Sequence, residues 1–427
     1  MARRMAKRYL PFLMAVFFLV ASVLISMWAG AVTREPDGSS EGGFGSSDGS
    51  VNASSGDETP FTPPEGEMRA VWVPFMTLDL KDSQEKNEEA FRQKFDEIVA
   101  GAREYGMNTL IVHVRSHGDA MYPSEYFPWS HLLSGTQGND PGFDPLEYMV
   151  SASHEAGLAF HAWINPLRVQ VNSTPSLLSP QNPYNVWSGD DDPSNDNWVM
   201  DNGADKYYNP AYPEVRELII DGVREIVANY AVDGIHFDDY FYPSSAEIPD
   251  QVSYDAYCAS LEEGSEALSL AEWRKSNINT LIAGVYSAVK DENPKVAFGI
   301  SPQGNLANNN SMGADVHSWG SRKGYVDYLC PQIYVNFDHP LLPFDETAQT
   351  WRELVTCEDV KLYFGLGVYK AGSDADDGTW QASSDILSRE IEFGRSIGGD
   401  GFMFYSWEYL NNPQTKEEIS NVMKVLN

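Results

Sequence analysis

Cysteine is scarce in this chain: Cys258, Cys330 and Cys357 are the whole complement of 427 residues. Three thiols so scattered supply neither a disulfide framework nor a zinc knuckle. Positive charge is scarce as well, with 29 Lys and Arg against 62 Asp and Glu, for a formal net charge of −33. A surface of that sign repels polyanions, which argues against nucleic acid as a partner. The histidines form no His-x-His pair and no His-Glu-x-x-His signature, so the usual short metal-hydrolase motifs are missing. Aromatic rings, by contrast, are plentiful: 11 Trp, 22 Tyr and 20 Phe. That is more than packing alone demands, and flat apolar rings suit the faces of sugars.

The amino terminus sets the expected compartment. Arg3, Arg4, Lys7 and Arg8 precede an uncharged apolar run from Tyr9 to Val32. The run is long enough to span a bilayer, for which about 20 residues suffice. It also reads as a long signal peptide, with Ala29-Gly30-Ala31 as a small-x-small cleavage site. Residues 1–33 are therefore a signal peptide or a membrane anchor, and either reading places the remainder outside the cytoplasm. No Cys follows the run, so a lipoprotein anchor is not expected. Residues 34–66 are rich in Gly, Ser, Asp, Glu and Pro, too apolar-poor to fold, and read as a flexible tether.

From residue 67 to 427 strand-like runs alternate with helical patterns, the signature of a parallel βα-repeated sheet. The predicted strands are Arg69–Phe75, Thr109–Arg115, Ala159–Asn165, a run beginning at Val232, Val296–Ser301, Tyr328–Tyr334, Lys361–Val368 and Gly401–Tyr405. Eight such units predict one α/β domain, a (β/α)8 TIM barrel with long βα-loop insertions. The longest insertion runs from Arg168 to about Tyr212. It reads as irregular, with an acidic centre whose spacing fits no EF-hand.

The run Val232 to Pro243 concentrates the chemistry. With side chains alternating along a strand, Ile235 and Phe237 take the helix-facing side, while His236 and Asp238 take the barrel axis. Asp239, Tyr240 and Tyr242 follow where the strand runs out, at the mouth where barrel chemistry resides. The same alternation puts Ile111, His113 and Arg115 on one face of the second strand, and His161, Trp163 and Asn165 on one face of the third.

These stretches resemble the glycosyl hydrolase-like family 10 proteins, in order: Met68-Arg69-Ala70-Val71-Trp72-Val73, Asn108 to Arg115, Gly118 to Ser124, Asp144-Pro145-Leu146, His161 to Arg168, Val232 to Pro243, Gly299-Ile300-Ser301-Pro302 and Val326 to Tyr334. The resemblance covers nearly all of Met68 to Tyr409. It implies an exported bacterial barrel acting on a polysaccharide of the cell envelope, with peptide-free peptidoglycan strands as the leading substrate. Val335 departs from the family pattern, which has Trp after Pro-Gln-Ile-Tyr, so one sugar platform differs. In the chitinase-type frame Asp-Gly-x-Asp-x-Asp-x-Glu, this chain has Asp233, His236, Asp238 and Tyr240. A phenol stands where that frame has its acid, which speaks against the substrate-assisted mechanism.

Glycoside hydrolysis needs a proton donor and a second carboxylate, about 5 Å away for retention or about 6.5–9.5 Å for inversion. Asp238 is the first candidate, expected to be held by His236, with Asp239 or Glu408 as its partner; Asp119 remains a further carboxylate near the substrate. His113, Arg115, His161, Asn165, Arg168, His236, Tyr240, Tyr242, Gln332, Tyr334, Tyr405 and Trp407 are the expected substrate-binding groups. No cofactor or metal is expected, and the protein is expected to act as a monomer. Two other readings stay open: a non-catalytic cell-surface glycan-binding protein, and a metal-dependent hydrolase or deacetylase using His113, His161, His236 and Asp238.

Overall fold

The computed structural model describes residues 61–80, 85–243 and 248–426. The expected leader or anchor (1–33) and most of the tether (34–66) lie outside the described residues. Among the described residues no helix is long and apolar enough to cross a membrane.

The strands appear where hydrophobic alternation meets a turn signal. β1 (Met68–Val73) stops at Pro74, and β2 (Thr109–Arg115) follows helix Glu88–Glu104. That helix is capped by Asn87, whose side chain accepts the Ala90 N–H, and is followed by Gly106 at φ 75°, a backbone that favours glycine. β3 (Ala159–Ile164) follows helix Pro145–Glu155, capped by Asp144 with proline in its first turn. An inserted antiparallel sheet comprises β4 (Arg168–Gln170), β5 (Val199–Asn202) and β6 (Asp205–Tyr208). The segment expected to be irregular therefore has a sheet of its own, built from strands too short to show alternation. Helix Pro213–Asn229 leads to β7 (Gly234–Phe237), then come β8 (Ala297–Ile300), β9 (Tyr328–Leu329), β10 (Gln332–Ile333), β11 (Lys361–Gly367) and β12 (Gly401–Tyr405).

All the barrel pairings are parallel, in the order β12-β1-β2-β3-β7-β8-β9, and β11 closes the ring by pairing with β9, β10 and β12. β9 and β10 share one position, interrupted around Pro331, so the barrel has eight staves. A single strand Tyr328–Tyr334 was expected there. Proline lacks the N–H that a central stave must donate, and the ladder breaks.

The helix-facing side is apolar, carrying Val71, Val112, Ile235, Phe237 and Phe298. The axis carries Ala70, Trp72, Ile111, Trp163, Tyr328, Cys330 and Met403. Two glycines make room for the larger rings. A Cβ on Gly234 would lie 2.5 Å from His161, and one on Gly299 would lie 2.1 Å from the Tyr328 ring. Small opposite large fills the axis without a channel.

Candidate active site

Beyond β7 the chain leaves the barrel with Asp238 and Asp239 side by side. Both carboxylates reach one cavity of about 220 Å³, lined also by Trp72, Trp163, Tyr240, Ser301, Gln303, Gln332, Tyr334, Tyr369 and Tyr405. It is smaller than the roughly 300–1,000 Å³ of most enclosed ligand sites, a size suited to one ring of a longer chain.

Asp238 is held from three sides. Its Oδ2 accepts hydrogen bonds from Trp163 Nε1 at 3.1 Å and from Asn165 Nδ2, and its Oδ1 accepts from the Tyr240 N–H at 3.1 Å. Asn165 is oriented in turn: its Oδ1 lies 2.9 Å from His113 Nε2. His113 Nδ1 accepts the Phe75 backbone N–H at 3.3 Å, which leaves Nε2 as the protonated nitrogen. The His113 ring also stacks on Trp163, centroids 3.4 Å apart. Burial holds the His113 pKa well below the ordinary histidine range, with the Arg168 charge adding to that. The imidazole is therefore a neutral brace.

Burial also raises the Asp238 pKa, and the adjacent Asp239 charge raises it further, to about 7; Arg168 and the donors named above oppose this and lose. Asp239 is bonded by two side-chain amides, Gln303 Nε2 on one oxygen and Gln332 Nε2 at 3.0 Å on the other. Gln332 Nε2 is itself fixed by the Ser301 carbonyl at 2.9 Å. Two donors on two oxygens suit an ionised carboxylate.

Among the aromatic residues Tyr334 and Tyr405 stack with centroids 5.5 Å apart, and Tyr369 meets each edge-on. Tyr240 is 49% exposed, with the Arg168 guanidinium 4.0 Å from its ring centre. These rings form the wall at the mouth.

His236 is placed differently from expectation. It lies fully buried beneath the cavity and contacts Trp72 Nε1 at 3.2 Å, Ser301 Oγ at 3.0 Å and Tyr328 Oη at 2.9 Å, rather than Asp238. Tyr328 Oη continues to His161 Nδ1 at 3.0 Å. Burial lowers the pKa of both histidines, that of His161 to about 4. They form a neutral column under the floor, out of reach of substrate. The four-residue metal set His113, His161, His236 and Asp238 is thus tied up in separate contacts.

Several other expected contacts turn away from the mouth. Arg115 is buried, its guanidinium 4.1 Å from the Phe127 ring centre and close to Gly222 on helix Pro213–Asn229. The cause is a register shift between His113 and Arg115 where β2 pairs with β3; one extra residue turns a side chain to the other face. Tyr242 is buried against helix Leu270–Glu292, accepting from Asn277 Nδ2 at 3.2 Å. Trp407 packs on Gly101 of helix Glu88–Glu104. Asp119 is 1% exposed and paired with His131, apart from the cavity. Glu408 is exposed at the rim, bonded to Thr77 and to Ser406 Oγ at 2.5 Å, and does not line the cavity.

Of the expected residues, the structure brings together Asp238, Asp239, Tyr240, Gln332, Tyr334 and Tyr405, with His113, Asn165 and Arg168 in support. Trp72, Ser301, Gln303 and Tyr369 were missed. Trp72 alternates with Val71 and Val73 on β1, so the period-two pattern carried a signal for it. Gln303 and Tyr369 lie past strand ends, where no periodicity applies.

A closed parallel barrel with two carboxylates and an aromatic wall at its mouth is an architecture that glycosidases use. The chain matches the sequence model of glycosyl hydrolase-like 10 over residues 67–382 and belongs to that family. It is 33% identical over 371 residues to glycosyl hydrolase YngK of Bacillus subtilis, covering 81% of this chain and 69% of that protein. It is 31% identical over 382 residues to glycosyl hydrolase DigH of Escherichia coli, covering 82% and 83% respectively. Among solved structures, the PgaB (BpsB) glycoside hydrolase domain of Bordetella bronchiseptica superposes with a TM-score of 0.53 at 15% identity, covering 83% of this chain and 99% of that one. The endo-1,4-beta-mannanase of Rhizomucor miehei gives 0.52 at 7% identity, covering 84% and 95%. At such identities these two structures share the barrel and nothing finer.

Proposed function

We propose that this protein hydrolyses the glycan strands of peptidoglycan, with Asp238 as general acid and Asp239 as the ionised partner. The observation that carries the reading is the adjacent pair in one cavity, with Asp238 raised to about 7. Two carboxylates whose environments separate their protonation states divide the roles of acid and base or nucleophile. Asp238 Oδ2 is filled by two donors, so the transferable proton belongs on Oδ1. The proton passes from Oδ1 to the glycosidic oxygen as the bond to the anomeric carbon breaks. Asp239 faces the positive charge that develops there; water adds to the anomeric carbon, and the proton it loses returns to the carboxylate pair, restoring the acid.

The tyrosine wall supports a sugar ring at the cavity, and the family resemblance supports a wall glycan. An extracytoplasmic, envelope-associated location belongs to the same reading and rests on residues 1–33. The test is product release from peptide-free peptidoglycan strands, with chitin oligomers, cellulose and xylan alongside. Cleavage of the first alone is the expected result. Cleavage of another glycan reassigns the substrate, and binding to peptidoglycan strands without cleavage of any of them makes the protein a surface lectin.

A further inference from the structure

On the segment that follows β2, His117, Asp119 and His131 each offer a ligand atom, and the three atoms lie within 4.8 Å of one another. All three residues are buried, at 3%, 1% and 5% exposure. The cluster stands outside the cavity. The Phe75 ring separates it from the Asp238 support, meeting His117 at 5.3 Å on one side and His113 at 5.5 Å on the other.

The oxygens of Asp119 are unequally served. Oδ2 contacts His131 Nδ1 at 2.9 Å, Gln137 Nε2 at 3.1 Å and the His131 backbone N–H at 3.4 Å. Oδ1 is buried with no hydrogen-bond partner. A buried carboxylate oxygen left bare is unfavourable unless something electropositive reaches it. The ring opposite is close at hand: His117 meets the His131 ring edge-on, centroids 5.4 Å apart. His117 is braced by Ser116 Oγ, 2.9 Å from its Nδ1, and Asp119 by Gln137. Such outer contacts are what orient metal ligands.

We infer that His117, Asp119 and His131 bind one divalent transition-metal cation of the zinc class. Two imidazoles and a carboxylate select such ions over calcium or magnesium, which prefer oxygen alone. The cation takes the place of the proton between His131 Nδ1 and Asp119 and reaches the bare Oδ1, while His131 keeps its single ring proton on Nε2 and any second proton leaves to solvent. The bound ion would pin the segment from Ser116 to His131 as a structural staple at the side of the mouth. This assignment is independent of the reaction proposed above.

The test uses the full chain, stripped with chelator and titrated calorimetrically with Zn²⁺ and, in parallel, Ca²⁺. One equivalent of zinc and no calcium are expected, with a rise in Tm of about 4 °C at a hundredfold excess over Kd. Cobalt substitution should give visible bands of nitrogen and oxygen coordination. Asp119→Asn and His131→Gln should each weaken zinc binding by about 100-fold or more. Should either variant fail to fold, the stoichiometry and cobalt spectrum of the parent still decide. Binding unchanged in the folded variants would assign the zinc to other histidines and overturn the site. A parent that takes up no zinc would overturn it equally, leaving a buried water as the partner of Asp119 Oδ1.

Discussion

Two buried acid pairs in this molecule meet the same desolvation and answer it differently. At the mouth, Asp238 is almost wholly buried and stands next to Asp239, yet donors engage both of its oxygens. Between helices Ile386–Ser396 and Lys416–Leu426, Glu390 is fully buried beside Glu418, and neither Glu390 oxygen has a hydrogen-bond partner. Burial, and then the neighbouring Glu418, drives the Glu390 pKa well above the carboxylate range. Glu418 is raised to about 7 by burial, although it accepts the Leu387 N–H at 2.5 Å. Donors are what distinguish a carboxyl poised to titrate at neutral pH from one locked as a neutral packing group.

The sharpest way to break that contrast is Asp238→Asn. Rate should fall by about 10²–10⁴-fold, with Tm at pH 8 no lower than in the parent, because no charge remains to be desolvated. Retained activity would move the acid to Asp239. Asn165→Ala should cost less, about 10- to 100-fold in kcat. Loss of a donor to the charged form also moves the alkaline limb of the pH–rate profile, set by the general acid, upward from about 7; an unmoved limb would make Asn165 a spacer.

Glu390→Gln sharpens the other side. The folded-state pKa values of Glu390 and Glu418 lie above those of the unfolded chain. Their stabilising protonation is complete below the unfolded value of about 4.3 and is lost as pH rises through about 7 for Glu418 and through a well-raised pKa for Glu390, at up to about 1.4 kcal/mol per pH unit for one group. The variant should therefore gain stability relative to the parent as pH rises from 5 to 8, read as the difference in Tm. A difference independent of pH would show that Glu390 is ionised.

The two arginines make the smallest contrast. Arg168→Ala should raise KM several-fold, since Arg168 braces the exposed Tyr240 ring. Arg115→Ala should leave KM unchanged and lower stability by about 2 kcal/mol through lost packing on Phe127. A KM effect at Arg115 would place it at the mouth after all.

That last pair shows where sequence reasoning holds and where it stops. Strands β2 and β12 have the bounds that their apolar runs predict, and alternation along β7 placed His236 on the axis and aimed Asp238 at the mouth. Alternation also sent Arg115 to the axis, because a bulge leaves no mark in the pattern. Trp407 and Tyr242 sit past strand ends, where direction is set by the helix that receives the ring: Gly101 opens a slot for Trp407, and Asn277 takes Tyr242. Gln303 is invisible for the same reason, although it is one of the two amides that hold Asp239.

The column of Trp72, His236, Tyr328 and His161 under the cavity has a kinetic consequence. It stoppers the barrel like the base of a cup, so whatever enters the cavity also leaves by the mouth, where Tyr240 and Tyr405 stand. Neither proton nor water is resupplied from below. Under the proposed hydrolysis, product must therefore leave by the mouth before the next substrate can enter.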